Sequence, residues 1–538
     1  MAKKHEAQLH LEPIHLLSGT VELPGSKSLS NRALLLAALS KGTTTVENLL
    51  DSDDIARMLE ALTALGVQID QTARMTENRI VIQGNAGPFD VSANPDGVEL
   101  FLGNAGTAMR PLAGVVCACK GKFVLDGVPR MRERPIEDLI VGLKQLGSTA
   151  ECTENPGFGG CPPVRVTADG LPGGKCLVSG KISSQFISSL LMTAPLAQNG
   201  PVVIEIKDEL VSKPYVDMTI GLMKKFGVKV TEEELSTDKM KPRPRYTVEV
   251  GQQYVSPGTY YVEGDASSAS YFIGGAAITG GPITILGCGS ESVQGDVKFA
   301  HAIEKMGATV DWKPNSMTVS RKMDGSQPLK GVDIDCGEIP DAAMTLATVA
   351  LFAQGQTAIR NVYNWRVKET ERMKAICAEL TKLGAQVEEG HDFCIVQPLD
   401  RIQEGVAIDT YDDHRMAMVF SLAACGPVGV TINDPGCTAK TFPTYFDELK
   451  KLVKSRGAQA PAPAPAPVGT YAPVGTYATC AGGYQAADEA PAVYNVSPET
   501  FARLCAGGSM TQTEIDALAG GSAPMAAAAA AVATKSMK

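Results

Sequence analysis

Five amphipathic stretches along the chain end in the same way: an apolar residue, a glycine, then a new extended segment. They close at Leu65-Gly66-Val67, Leu146-Gly147-Ser148, Phe226-Gly227-Val228, Met306-Gly307-Ala308 and Leu383-Gly384-Ala385, so the glycines stand 81, 80, 80 and 77 residues apart. Each reads as a helix stopped by a glycine C-cap and followed by a strand. A second series keeps step with the first. Each member has small or polar residues, an apolar stretch of about a dozen, a glycine-containing turn and a β-branched run. The openings are Ser26-Lys27-Ser28, Asn104-Ala105-Gly106-Thr107, Ser183-Ser184-Gln185, Asp265-Ala266-Ser267-Ser268, Asp341-Ala342-Ala343 and Asp412-Asp413-His414-Arg415. Strands are expected over 43–50, 202–206, 283–286 and 428–433. A fixed period of this kind marks a repeated supersecondary unit. Units this large suit two globules of three units better than a solenoid.

Each opening is a loop-to-helix junction with Ser, Thr, Asn or Asp at or near the cap. Helix starts expose unpaired N–H groups and the positive end of the macrodipole. Any one of them could be no more than a cap. Several aimed into one space, with basic side chains among them, would hold phosphate or carboxylate.

Composition narrows the class. The 538 residues are 44% hydrophobic and 20% charged, as expected of a globular chain. Lys and Arg number 49 against 59 Asp and Glu, a net charge of −10. That balance disfavours nucleic acid or an anionic membrane as the main partner, but not a local basic pocket. No window approaches a membrane span, and the start MAKKHEAQLH lacks the apolar core of a signal peptide. A cytoplasmic location is expected, or a plastid if a leader has been removed. The 13 cysteines show no pairing pattern and no C-x-x-C, so free thiols are expected. With six histidines, three of them in the first fifteen residues, no metal site is expected.

The composition changes near Ser455. Residues 456–538 open with Ala-Pro alternation, repeat APVGTY twice and close in a run of alanines. A stiff spacer leading into a largely disordered, low-complexity tail is expected. Two short helices, capped at Ser497 and Thr511, would be its only docking elements.

The basic residues cluster at the openings. LPGSKSLSNR places Lys27 and Arg32 around the first helix start, without the Walker spacing. LFLGNAGTAMRP carries Gly106, where a backbone could approach a ligand closely. DGVPRMRERP offers Arg130, Arg132 and Arg134 on a loop. In NWRVKETER, Lys368 and Arg372 would share a face if the segment were helical, and Glu369 could pair there with either. Asp341 could be only a cap, His414 a structural histidine, and Glu263 and Asp265 either cleft residues or hinge caps. Residues 228–246 read as an insertion-like surface segment.

Taken together, LPGSKSLSNR, LFLGNAGTAMRP, PRMRERP, SSQF, LVSKPY, EGDASSAS, IPDAAMT, YNWRVKETER, DHRMAM and CTAKTFP resemble the blocks of the 5-enolpyruvylshikimate-3-phosphate synthase family, in the family's order and over about residues 8–450. The resemblance implies an α/β fold of two lobes, each of three βαβαββ units, an inside-out α/β barrel. One lobe would combine 8–25 with 263–450 and the other would be 26–262, with crossings near Pro24–Gly25 and Glu263–Asp265.

The implied reaction moves the enolpyruvyl group of phosphoenolpyruvate to the 5-hydroxyl of shikimate 3-phosphate and releases phosphate, with no cofactor. By resemblance Lys27, Gly106, Arg130, Gln185, Arg372, Arg415 and Lys440 bind phosphoenolpyruvate. Lys27, Ser28, Arg32, Ser183, Ser184, Gln185, Ser212, Asp341, Asn364 and Lys368 bind shikimate 3-phosphate, with Tyr215 a weaker candidate. Asp341 would be the base and Glu369 the acid, with Lys27 beside them. Neighbouring cations would keep Asp341 ionised, whereas an acid role for Glu369 suits a raised pKa. Gly106, Thr107 and Pro111 imply the glyphosate-sensitive type. A monomer is expected. A related transferase acting on a UDP-sugar would carry a cysteine in the loop 127–135, and none is there.

Overall fold

The computed structural model describes residues 7–154, 160–237 and 243–455. The tail and its two candidate helices lie outside the described residues. All five predicted glycine stops occur. Gly66, Gly147, Gly227, Gly307 and Gly384 each have a positive φ between 83° and 107°. In each, the next residue donates its N–H to a carbonyl five residues back, as Val67 does to Leu62 and Ala385 to Leu380. A side chain with a Cβ meets steric cost in that conformation, so the sequence ends these helices with glycine.

Six small sheets repeat one plan: a parallel pair extended by antiparallel strands. In the unit from Val98–Phe101 to Cys161–Asp169, the first strand runs parallel to Lys120–Asp126, which pairs antiparallel with Cys161–Asp169. The helices Gly106–Cys117 and Glu137–Gln145 connect them. Two units exchange their first strands. Gly19–Glu22 pairs with Ile283–Leu286, whereas Thr259–Tyr261 pairs with Thr43–Glu47. The chain therefore crosses twice, and the crossings lie side by side: Gly25 bridges Gly264, and the Asp265 N–H donates to the Pro24 carbonyl. The last sheet has three strands and is completed by the N-terminal strand Gln8–Leu11.

The described residues form two hydrophobic cores. One draws on Leu29 to Val262, the other on Ile14 to Leu23 and Ala266 to Leu452. Each is built around three helices buried on nearly every side: Lys27–Leu39, Gly106–Cys117 and Ser184–Thr193 in the first, Ala266–Thr279, Met344–Val349 and His414–Ser421 in the second. A helix apolar all round must sit inside. The amphipathic helices, such as Asp53–Ala64 and Lys213–Lys225, cover the outside with the sheets.

Three expectations change. Residues 228–246 are not an insertion: Thr231–Glu234 and Pro244–Val248 are two strands of the third sheet. Asp341 is not a helix cap, because Met344–Val349 is preceded by Ala343 with no side-chain cap. Lys368 and Arg372 share no helix face. A 3-10 turn, Tyr363–Val367, ends before Lys368, and Arg372 starts the next helix. No helix among the described residues is long and apolar enough to cross a membrane.

Candidate active site between the two cores

The N-terminal ends of the three buried helices of the first core carry residues of one cavity. Lys27, Ser28, Gly106, Thr107, Ser183, Ser184, Gln185, Ser212 and Tyr215 line it from the first core. Asp341, Asn364, Val367, Lys368 and Glu369 line it from the second. Its open volume is about 50 Å³, room for a few waters. Ser26, Ser183, Asp265 and Asp413 cap their helices with side-chain oxygens. Gly106–Cys117 lacks such a cap, because its N-cap residue is Ala105, while the neighbouring Asn104 side chain accepts from Arg134. Ser212 is left-handed at φ 56°, and this strained backbone lies in the cavity wall.

Lys27 is the first meeting point of the two cores. Its ammonium lies 3.6 Å from Asp54 and 3.7 Å from Glu369. Arg372 bonds Glu369 at 2.9 Å, Asp413 at 2.7 Å and Asp341 at 3.1 Å. Lys368 and Arg415 reach Asp341 at 3.4 and 3.2 Å. Burial opposes the charge on both carboxylates, but the cations prevail. Lys368, Arg415 and Arg372 hold Asp341 below the ordinary range, and Arg372, Lys27, Arg134 and Lys440 do the same to Glu369. The raised pKa expected of Glu369 is therefore absent. Its side chain is 8% exposed, so it does not lie on a solvated helix face either.

The remaining predicted residues stand around this centre. Asn364 donates to the Ser212 hydroxyl at 3.3 Å, from one core to the other. Arg130 donates to the carbonyls of Lys368 and Glu369 at 3.0 and 3.2 Å, and Lys440 to that of Asn104 at 3.1 Å. Arg32 is held behind the wall by Thr219 and the Ser28 carbonyl. Arg32, Arg130, Arg372, Arg415 and Lys440 thus flank the cavity without lining it. Asp265 caps its helix and accepts from the Lys27 N–H, while Glu263 takes bonds from Ser292 and Gln294. His414 is fully buried, and burial with Lys27 and Arg415 nearby keeps it neutral.

Sequence reasoning missed Asp54, Arg110 and the choice among three arginines. Arg132 turns outward to Asp126, whereas Arg134 is buried and lines the cavity with Arg110. Asp54 stands in the first turn of Asp53–Ala64, and no local signal aims it at Lys27. Burial lowers the pKa of Arg32 to about 10 and lowers those of Arg110 and Arg134 too. Arg32 bonds hydroxyls and a carbonyl, Arg110 the Met131 sulfur and the Pro135 carbonyl, and Arg134 Asn104. Among the described residues, none of the three has a carboxylate ion pair. A Cβ on Gly106 would stand 2.6 Å from an Arg134 nitrogen and 2.9 Å from one of Arg110.

Residues 11–449 match the family model for EPSP synthase (3-phosphoshikimate 1-carboxyvinyltransferase). The chain belongs to the EPSP synthase family. It is 58% identical over 455 residues to the chloroplastic 3-phosphoshikimate 1-carboxyvinyltransferase of Arabidopsis thaliana, covering 83% of this chain and 85% of that one. It is 54% identical over 444 residues to the Vibrio campbellii enzyme of the same name, covering 82% of this chain and 99% of that one. An EPSP synthase structure from Acinetobacter baumannii superposes with a TM-score of 0.64 at 25% identity, over 83% of this chain and 98% of that one. The enolpyruvyl transferase NikO of Streptomyces tendae shares the EPSP synthase fold, with a TM-score of 0.64 at 20% identity, over 83% of this chain and 98% of that one.

Proposed function

We propose that the protein transfers the enolpyruvyl group of phosphoenolpyruvate to the 5-hydroxyl of shikimate 3-phosphate and releases phosphate. One observation carries the reading: three buried guanidiniums with no carboxylate at ion-pair distance among the described residues, Arg32, Arg110 and Arg134, flank a cavity that also holds two carboxylates from the second core. A buried unpaired cation is costly, and an anionic ligand removes the cost. Two polyanionic substrates fit that imbalance.

In this reading Asp341, kept ionised by Lys368, Arg415 and Arg372, takes the proton of the 5-hydroxyl as the oxygen bonds to the second carbon of phosphoenolpyruvate. Glu369 gives a proton to the methylene carbon. In the tetrahedral intermediate Glu369 takes a proton back from the new methyl group, and that C–H pair re-forms the carbon–carbon double bond. The C–O bond to phosphate breaks, phosphate leaving with the bonding pair and the proton held by Asp341. Glu369 is acidic while Arg372, Lys27, Arg134 and Lys440 face it without a ligand anion. Phosphate and carboxylate groups entering that field offset the cations and raise its proton affinity, so the substrate itself loads the acid. Lys27, Gly106, Arg130, Gln185, Arg372, Arg415 and Lys440 would hold phosphoenolpyruvate. Ser28, Arg32, Ser183, Ser184, Gln185, Ser212, Tyr215, Asn364 and Lys368 would hold shikimate 3-phosphate. The charge stabilisation these cations offer the departing phosphate is the larger rate contribution.

The two cores would act as lobes that part around the paired segments at Gly25 and Gly264 to admit substrates larger than the cavity. A monomer is the form we infer. The cysteines among the described residues are free thiols, which suits a reducing compartment such as cytoplasm or plastid stroma. Phosphate release with both substrates tests the reading. Turnover that needs both is expected, and none with either alone. Absence of phosphate release, or release only with a UDP-sugar as acceptor, would overturn it.

A further inference from the structure

One buried acid beside the cavity has no part in the reaction described above. Asp296 sits in the 3-10 turn Gly295–Lys298 of the second core and is 3% exposed. Its Oδ2 accepts a 2.8 Å hydrogen bond from the Tyr215 hydroxyl, which the first core supplies, and a second from the Ser267 hydroxyl. Its Oδ1 is buried with no hydrogen-bond partner. Tyr215 lines the cavity beside Ser183, Ser184, Ser212 and Lys368, the donor-rich wall assigned above to the shikimate phosphate.

A tyrosine hydroxyl has one hydrogen to give. While Asp296 is ionised, that hydrogen is committed to the carboxylate, and Tyr215 turns lone pairs toward the cavity. An oxyanion placed there meets an acceptor. Once Asp296 is protonated, its own O–H can donate to the Tyr215 oxygen, and the tyrosine hydrogen is free to turn to the ligand. We propose that Asp296 is a positioning residue whose protonation sets the direction of the Tyr215 hydrogen, and so couples binding of the anionic shikimate substrate to uptake of one proton. No bond to carbon changes: one proton passes from solvent to the Asp296 carboxylate, and the Tyr215 hydroxyl hydrogen reorients.

The surroundings support this. Ser267 lies in the first turn of the helix Ala266–Thr279, Tyr215 lies on Lys213–Lys225, Asp341 precedes Met344–Val349, and Arg415 lies on His414–Ser421. Lys27 and Asp265 line the same small space. Burial and the like charge of Asp341 push the Asp296 carboxyl up to about 6, against the pull of Arg415 and the two hydroxyls. A proton therefore comes within reach near neutral pH, and an anion bound against Tyr215 favours it further.

The inference rests on the placement of shikimate 3-phosphate against Tyr215, and the test separates the two. Dissociation constants for shikimate 3-phosphate are measured by calorimetry from pH 5.5 to 7.5 for the full chain and for Asp296→Asn, whose amide donates to Tyr215 at every pH. The ligand's own phosphate ionisation is common to both and cancels in their ratio. The wild-type constant should grow relative to that of the variant by about tenfold or more over this range, one proton at a group near 6 allowing at most roughly 25-fold. Wild type should also take up a proton on binding at pH 7, read from heats in buffers of different ionisation enthalpy, and Tyr215→Phe should lose that uptake. A ratio that stays flat with pH overturns the proposal. Should Asp296→Asn fail to fold, equal proton uptake in wild type and Tyr215→Phe overturns it as well. Absence of phosphate release by wild type is a different failure, that of the reaction assigned above.

Discussion

Lys27, the first residue of a helix in one core, stands 3.7 Å from Glu369, which the other core supplies. The same ammonium lies 3.6 Å from Asp54. One lysine thus joins the two halves of the site, and the carboxylate it touches is the acid of the proposed reaction. In the proposed reaction, closure of the cores would bring Lys27 onto a carboxylate that Arg372 of its own core already holds low, so that closure would adjust the acid further.

Asp341→Asn and Glu369→Gln should each reduce turnover by about 10²-fold or more, a loss typical of a general acid or base, with the fold retained. Steady-state phosphate release with circular dichroism as the folding control measures this. A variant with near-wild-type turnover removes its residue from the chemistry.

Gly106→Ala should act through arginines. The added methyl would lie 2.6 Å from an Arg134 nitrogen and 2.9 Å from one of Arg110, so at least one guanidinium must shift. The Michaelis constant for phosphoenolpyruvate should rise about tenfold or more and that for shikimate 3-phosphate change little, since roughly 1.4 kcal/mol of displaced charge contact corresponds to a factor of ten. Inhibition by glyphosate, a phosphonate with a carboxylate, should weaken in parallel. Arg134→Gln should reproduce the effect on phosphoenolpyruvate without the methyl. If Arg134→Gln leaves that constant unchanged, the arginine does not face the substrate.

Arg372→Met should destabilise the protein by about 3–5 kcal/mol at neutral pH, because it leaves buried carboxylates without their cation. Arg372 is 1% exposed and pairs with Asp413, Asp341 and Glu369. The pH dependence follows from the depressed Asp341 and Glu369. Their stabilisation is present above the unfolded-state pKa values near 4 and is lost as pH falls toward the lower folded-state values. The gap between wild type and variant should therefore narrow below about pH 4. Urea unfolding at pH 7 and pH 3.5 reads this directly, and a gap that widens in acid contradicts the pairing.

Ending the chain at Ser455 should leave kinetic constants within about twofold, since no motif block lies beyond Pro443 and the Ala-Pro stretch begins after the last described helix, Tyr445–Leu452. With this shortened protein, scattering should show a smaller radius of gyration on saturation with shikimate 3-phosphate. Loss of activity with the fold intact would mean that the tail reaches the cleft.

The sequence by itself determined whatever depends on neighbours along the chain. Glycine at positions 66, 147, 227, 307 and 384 relieves a steric cost that any Cβ would meet there, so the helix ends and the period were legible. Apolar stretches after small or polar openings gave away the six buried helices, although two of those openings do not cap their helix, and ten motif blocks gave the family. Contacts between residues far apart in the chain were settled only by the tertiary structure. Arg130, Arg132 and Arg134 look alike in a loop, and only packing against Asn104, Asp126 and the second core sorts them. Thr259–Tyr261 completes a sheet that begins more than two hundred residues earlier, which no local pattern encodes. Glu369 has its charge state decided by four cations on three other segments and its own, since a pKa follows the field at a point in space, not the order of residues.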